Sequence, residues 1–195
     1  QWRLSFVVAS ILVTTAPLAA HDMWIEPMTF SPEAGEIVGV RLRVGQDFLG
    51  DPLPRDPALI NQFVVEDAEG RKPVVGRTGA DPAGFVRAAA PGLLVIGYRS
   101  NPSSVDETAD KFNQYLKEEG LDAIAALRAS RGQAGATREM FSRCAKSLVL
   151  SGSTDKTQGD RALGFTLELL AERNPYMMAA GQDLPVRLTY GNRPL

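Results

Sequence analysis

The chain has 195 residues, 44% of them hydrophobic and 23% charged, and carries a formal net charge of −2 at pH 7. That balance fits a folded globular chain with one sizeable core, and it leaves no basic footprint for nucleic acid or for an anionic membrane. The single cysteine, Cys144, excludes a disulfide within the chain and reads as a small buried apolar residue.

The first element is a leader. Arg3 is followed by the uncharged run Leu4–Ala20, which ends in Pro17-Leu18-Ala19-Ala20. A basic start, an apolar centre and a small-residue finish predict a secretory signal peptide over residues 1–20, cut after Ala20. The run falls short of the ~20 residues that span a bilayer, so no transmembrane helix is expected to remain after cleavage. The expected location is the periplasm or another exported compartment.

Cleavage there would make His21, the only histidine in the chain, the first residue of the mature protein. Its α-amine and imidazole could then chelate one ion through two nitrogens, a donor set suited to Cu(II) or Ni(II). In the stretch His21-Asp22-Met23-Trp24-Ile25-Glu26-Pro27, the carboxylates of Asp22 and Glu26 are candidate oxygen ligands.

Strands come next. Val40, Leu42 and Val44 alternate with Arg41 and Arg43 in Glu36–Gly45, the period-2 pattern of a half-buried strand. A Pro-rich loop, 51–57, leads to a strand over Gln62–Asp67, and Ala68-Glu69-Gly70-Arg71 turns the chain back into Pro73–Gly76. Phe85–Arg87 and Gly92–Arg99 complete this half, the second apolar enough to be central in a sheet.

A helical insert over 104–150 is then predicted. Ser104-Val105-Asp106-Glu107 matches a capping box ahead of a helix carrying Phe112, Tyr115 and Leu116, which Gly120 would close. These three side chains are expected to form the seam between the insert and the sheet. Asp122 would cap a second helix with Ile124 and Leu127 facing in, ended by Arg131-Gly132. Thr137 would open a third, with Met140, Cys144 and Leu148 on one face. Residues 151–160 read as a mobile loop, and strands resume at Leu163–Leu169 and Leu184–Tyr190. The fold class expected is α+β, mainly β: an Ig-like or prealbumin-like β-sandwich over 21–195 with about three short helices inserted.

Catalytic patterns are missing. No second histidine, CxxC pair, HExxH motif or phosphate-cradling Gly loop occurs, so a binding role rather than an enzyme is expected. Acidic pairs such as Asp106-Glu107 and Glu118-Glu119 read as caps and solvated helix faces.

The start His-Asp-x-Trp-x-Glu-Pro, the strand Val-Arg-Leu-Arg-Val-Gly, Tyr98-Arg99-Ser100, Lys111–Asp122, Ser142–Lys146 and Arg173-Asn174-Pro175-Tyr176 together resemble the DUF4198 family of bacterial exported proteins. The resemblance covers nearly all of the chain after the leader. It implies export and a β-rich fold; some members have been filed with nickel- or cobalt-uptake components, so a metal transporter or outer-membrane component is an implied partner. It also implies that the chain continues past Leu195, with residues 182–195 beginning a second Ig-like domain and any second ligating histidine lying beyond. Three functions follow as expectations. The first is an exported metal-binding or metal-uptake accessory protein. The second is a β-sandwich binding module for a glycan or protein, with Trp24 and Tyr98 as contact aromatics. The third is a copper-dependent oxidative enzyme.

Overall fold

The computed structural model describes residues 22–152 and 158–195. Its first sheet is built on β2 (Ile37–Gln46), the alternating strand expected from the sequence. β1 (Asp22–Pro27) runs antiparallel along one edge of β2, while β3 (Leu49–Pro52) and β6 (Gly84–Arg87) pair with opposite ends of its other edge. The second sheet has the order β10 (Cys144–Ser151), β7 (Gly92–Ser100), β4 (Ile60–Asp67), β5 (Gly70–Pro73), antiparallel throughout. β7 lies between β4 and β10 with almost every residue buried, as its unbroken apolar run requires.

The two sheets share one core. Ile25, Val38, Val40 and Leu42 come from the first, and Phe63, Val65, Leu94, Ile96, Tyr98 and Val149 from the second. Each such side chain contributes about 1.5–3 kcal/mol when fully withdrawn from water. Backbone hydrogen bonds stitch the sheets together on both sides. Past β1, Phe30 and Pro32 accept from Leu150 and Gly152 of β10 and its end, and past β5, Val75 accepts from Phe85 of β6. Edges paired in this way leave fewer orphan backbone groups for other chains to capture.

β7 and β10 continue outward as a second ribbon, β8 (Ser103–Glu107) against β9 (Thr137–Phe141). At the junction Ser100 Oγ accepts from the Arg143 amide at 2.8 Å. The ribbon carries α1 (Ala109–Glu118) and α2 (Asp122–Ser130). Two helices therefore stand where three were expected. The third, from Thr137, is instead the strands β9 and β10. A spacing of four is even, so Met140, Cys144 and Leu148 satisfy the period of a strand as well as that of a helix. Eight residues of β10 pair with β7, and that ladder decides between the two.

The cap also differs. Ser104 to Glu107 belong to β8, and α1 is capped by Thr108, whose hydroxyl accepts from the Lys111 amide. Gly120 closes the helix at φ 65°, the left-handed position expected of it. Phe112 and Leu116 are buried while Tyr115 is half-buried, but none of the three joins the inter-sheet core. Phe112 packs against Tyr115 and beneath the Arg128 guanidinium of α2, so this apolar face holds α1 to α2 within the arm. Leu121 occupies the N-cap of α2 in place of Asp122, and Ile124 and Leu127 are exposed.

The C-terminal part forms a third sheet of β11 (Leu167–Ala171), β12 (Val186–Tyr190) and β13 (Arg193–Pro194). The strand expected from Leu163 starts four residues later, because Leu163 and Phe165 turn down onto the second sheet. Gly191 and Asn192, both at positive φ, turn the chain so that Arg193–Pro194 comes back onto β12. Of the expected mobile loop, residues 153–157 lie outside the described residues.

Candidate functional site

β1 sorts its residues by parity. Met23 and Ile25 turn to the core, while Asp22, Trp24 and Glu26 take the outer face of the first sheet. The sequence placed Asp22 and Glu26 together as metal ligands with His21. His21 lies outside the described residues. Asp22 is exposed at the start of β1, opposite Gly45. Glu26 lies four residues on, about 13 Å along an extended strand, and turns elsewhere. Its carboxylate accepts from Arg43 Nε at 2.7 Å and stands 3.6 Å from Arg41 Nη1, while Arg43 also faces Asp81 at 3.8 Å. The Glu26 hydrogen bond holds the Arg43 guanidinium above its ordinary range. Asp22 and Glu26 thus share a face without converging. Among the described residues no group of three or more His, Cys, Asp or Glu side chains stands together as a metal site.

Between them sits Trp24, half-buried and packed edge-on to Phe48 with ring centroids 5.7 Å apart. The ring reaches over Gly50, where a Cβ would meet Trp24 Cη2 at 2.6 Å. The β2–β3 turn is made by Asp47 and Phe48, both at positive φ, the geometry of a type I′ hairpin. Phe48 is 83% exposed and Leu49 80%. Tyr98, the other expected contact aromatic, is instead a core residue, edge-on to Phe63. Burial pushes its hydroxyl above the usual tyrosine value, and it does the same to Tyr176, whose hydroxyl reaches the carbonyls of Phe30 and Leu148.

A second cluster was not anticipated from the sequence. Outward from β10, Lys146 Nζ lies 3.0 Å from Asp160 Oδ2 and 3.2 Å from Glu168 Oε1. It also donates to the Arg161 carbonyl at 3.2 Å. The two carboxylate side chains are each 2% exposed. Glu168 accepts from the amides of Leu163, Gly164 and Phe165, and Asp160 from those of Arg161 and Ala171. Arg161 in turn donates to the carbonyls of Glu66, Asp67 and Leu93. The cluster fastens residues 160–171 across the outer face of the second sheet, with Leu163 and Phe165 seated on the bare backbone of Gly97.

One signal was available: Glu168 lies between Leu167 and Leu169 in a strand, so its side chain takes the opposite face. Here the face holding the charge is the buried one, and both leucines are about half exposed.

These features define a mainly β protein of antiparallel sheets with a small helical arm and a polar-aromatic outer face at β1. Residues 18–195 match the family described as Domain of unknown function (DUF4198), and the chain belongs to that family. No curated protein and no solved structure matches it. No helix among the described residues is long and apolar enough to cross a membrane.

Proposed function

We propose that this is an exported metal-binding or metal-uptake accessory protein on an Ig-like sandwich, holding Cu(II) or Ni(II) at the mature N-terminus. The observation that carries the reading is the position of β1. Its ladder to β2 begins at Asp22, one peptide bond from the lone histidine, so the backbone next to His21 is fixed on a sheet and the Asp22 carboxylate is exposed beside it. His21 would supply the α-amine and imidazole nitrogens and Asp22 an oxygen, a mixed set that suits these ions. Glu26, engaged by Arg43, is the weakest of the three candidates. A metal transporter or outer-membrane component is the partner that such a protein would serve, and the periplasm the compartment.

Isothermal titration of Cu(II) and Ni(II) into the secreted chain tests this, with His21→Ala, Asp22→Asn and an Ala20-retaining form alongside. Retaining Ala20 keeps the imidazole but moves the amine, so binding should weaken; His21→Ala should weaken it further and Asp22→Asn least. Binding should also fall as pH drops and both nitrogens protonate.

A second reading is favoured by the pair Trp24 and Phe48, an aromatic corner on the outer face with Phe48 almost fully exposed. Such a corner suits stacking on a glycan ring or an apolar side chain. Loss of glycan or protein binding on Trp24→Ala, with metal affinity unchanged, would support it.

A further inference from the structure

Lys146, Asp160 and Glu168 bring three ionisable groups together out of water, the lysine side chain 11% exposed and each carboxylate 2%, and Glu168 is held by the amides of Leu163 and Phe165, two members of a buried apolar cluster. Burying charge in such surroundings is costly, and uniting an amine with a carboxylate as a neutral amide removes two charges from the site at once. The reactants are already in place. Nζ is 3.0 Å from Asp160 Oδ2, and so no more than one C–O bond farther from the carboxyl carbon. Reacting atoms held in contact in a closed site gain most of what catalysis by proximity offers. The third group is where a proton carrier is needed: Glu168 Oε1 touches Nζ at 3.2 Å, and three backbone amides fix the carboxylate.

We propose that Lys146 and Asp160 are joined by an intramolecular amide bond, formed with Glu168 as the proton carrier. Glu168 takes one proton from the Lys146 ammonium, and the freed amine attacks the Asp160 carboxyl carbon to form the C–N bond. The remaining nitrogen proton to be lost and the one held by Glu168 leave with one carboxyl oxygen as water, as a C–O bond breaks. Ammonium plus carboxylate gives amide plus water, with no oxidant, reductant or cofactor. The link ties β10 to the segment that covers the second sheet, in a chain whose single cysteine allows no internal disulfide.

The test is a peptide map of the purified folded chain. Trypsin does not cut at an acylated lysine, so the cross-linked protein yields Cys144–Lys156 joined to Thr157–Arg161, lighter than their sum by one water. Asp160→Ala and Lys146→Arg should yield only separate peptides. Glu168→Gln, checked for its fold by circular dichroism, should remain unlinked or link far more slowly. Recovery of unmodified Cys144–Lys146 and Ser147–Lys156 from the folded wild-type chain as the dominant products would overturn the bond and leave an ion cluster. Linking at the wild-type rate in folded Glu168→Gln would overturn the role of Glu168.

Discussion

Replacing Gly97 with Ala adds one methyl group at the point where the C-terminal segment meets the second sheet. The new Cβ would stand 2.1 Å from Leu163 Cδ1 and 2.8 Å from Phe165 Cζ, far inside van der Waals contact. Both neighbours are buried and held by the Glu168 loop, so neither withdraws freely. Overpacking of this kind costs about 1–3 kcal/mol. With a urea m-value of about 2 kcal/mol/M, the unfolding midpoint should drop by roughly 0.5–1.5 M. Leu163→Ala alone removes a buried side chain and should cost about 2–5 kcal/mol. In the double variant the new methyl enters space that Leu163 vacated, so the combined loss should fall short of the sum by about 1 kcal/mol or more. Urea unfolding followed by circular dichroism, on the four proteins of this cycle, measures each quantity. Additive losses, with Gly97→Ala costing under about 0.5 kcal/mol, would show that residues 163–165 do not rest on β7.

Phe112→Ala should open the arm rather than the core: amide exchange in α1 and α2 should quicken while β7 amides keep their protection, and equal acceleration in both would refute the arm's separate packing. Tyr98 and Tyr176 are raised by burial, so their contribution to stability is complete below the unfolded tyrosine value of about 10 and is lost as pH climbs through the folded values. Tyrosinate absorbance should therefore rise late and together with alkaline unfolding; early ionisation of all four tyrosines in the folded chain would contradict it. Leu169→Ser, on the exposed face of β11, should change stability by no more than about 0.5 kcal/mol in the same urea assay, and a loss above about 2 kcal/mol would mean that this face is covered.

The sequence displays its strands where one face is wet and the other dry. β2 alternates cleanly and lies within a residue of its expected bounds at either end, and β7 declares itself by the apolar run from Leu93 to Tyr98. α1 was legible from Phe112, Leu116 and Gly120, a face and a stop that no strand would need. β9 and β10 were not, because Met140, Cys144 and Leu148 are spaced by an even number and cannot separate period 2 from period 3.6. β1, β3 and β8 are short or mixed in polarity, and their pairing comes from partners far along the chain.

At the candidate site, the sequence put Asp22 and Glu26 in one stretch and the structure put them on one face. It could not show that Arg43, across the ladder, would claim Glu26. The Lys146 cluster was hidden for the same reason: its members are 14 and 8 residues apart in sequence, and nothing local marks them as buried.

The most direct test of the functional account is the affinity of Cu(II) for the chain beginning at His21, compared by isothermal titration with its His21→Ala variant. The account predicts one site, weakened by more than about tenfold, or 1.4 kcal/mol, when the imidazole is removed. Equal affinity in the two proteins, or no binding to either, would contradict it.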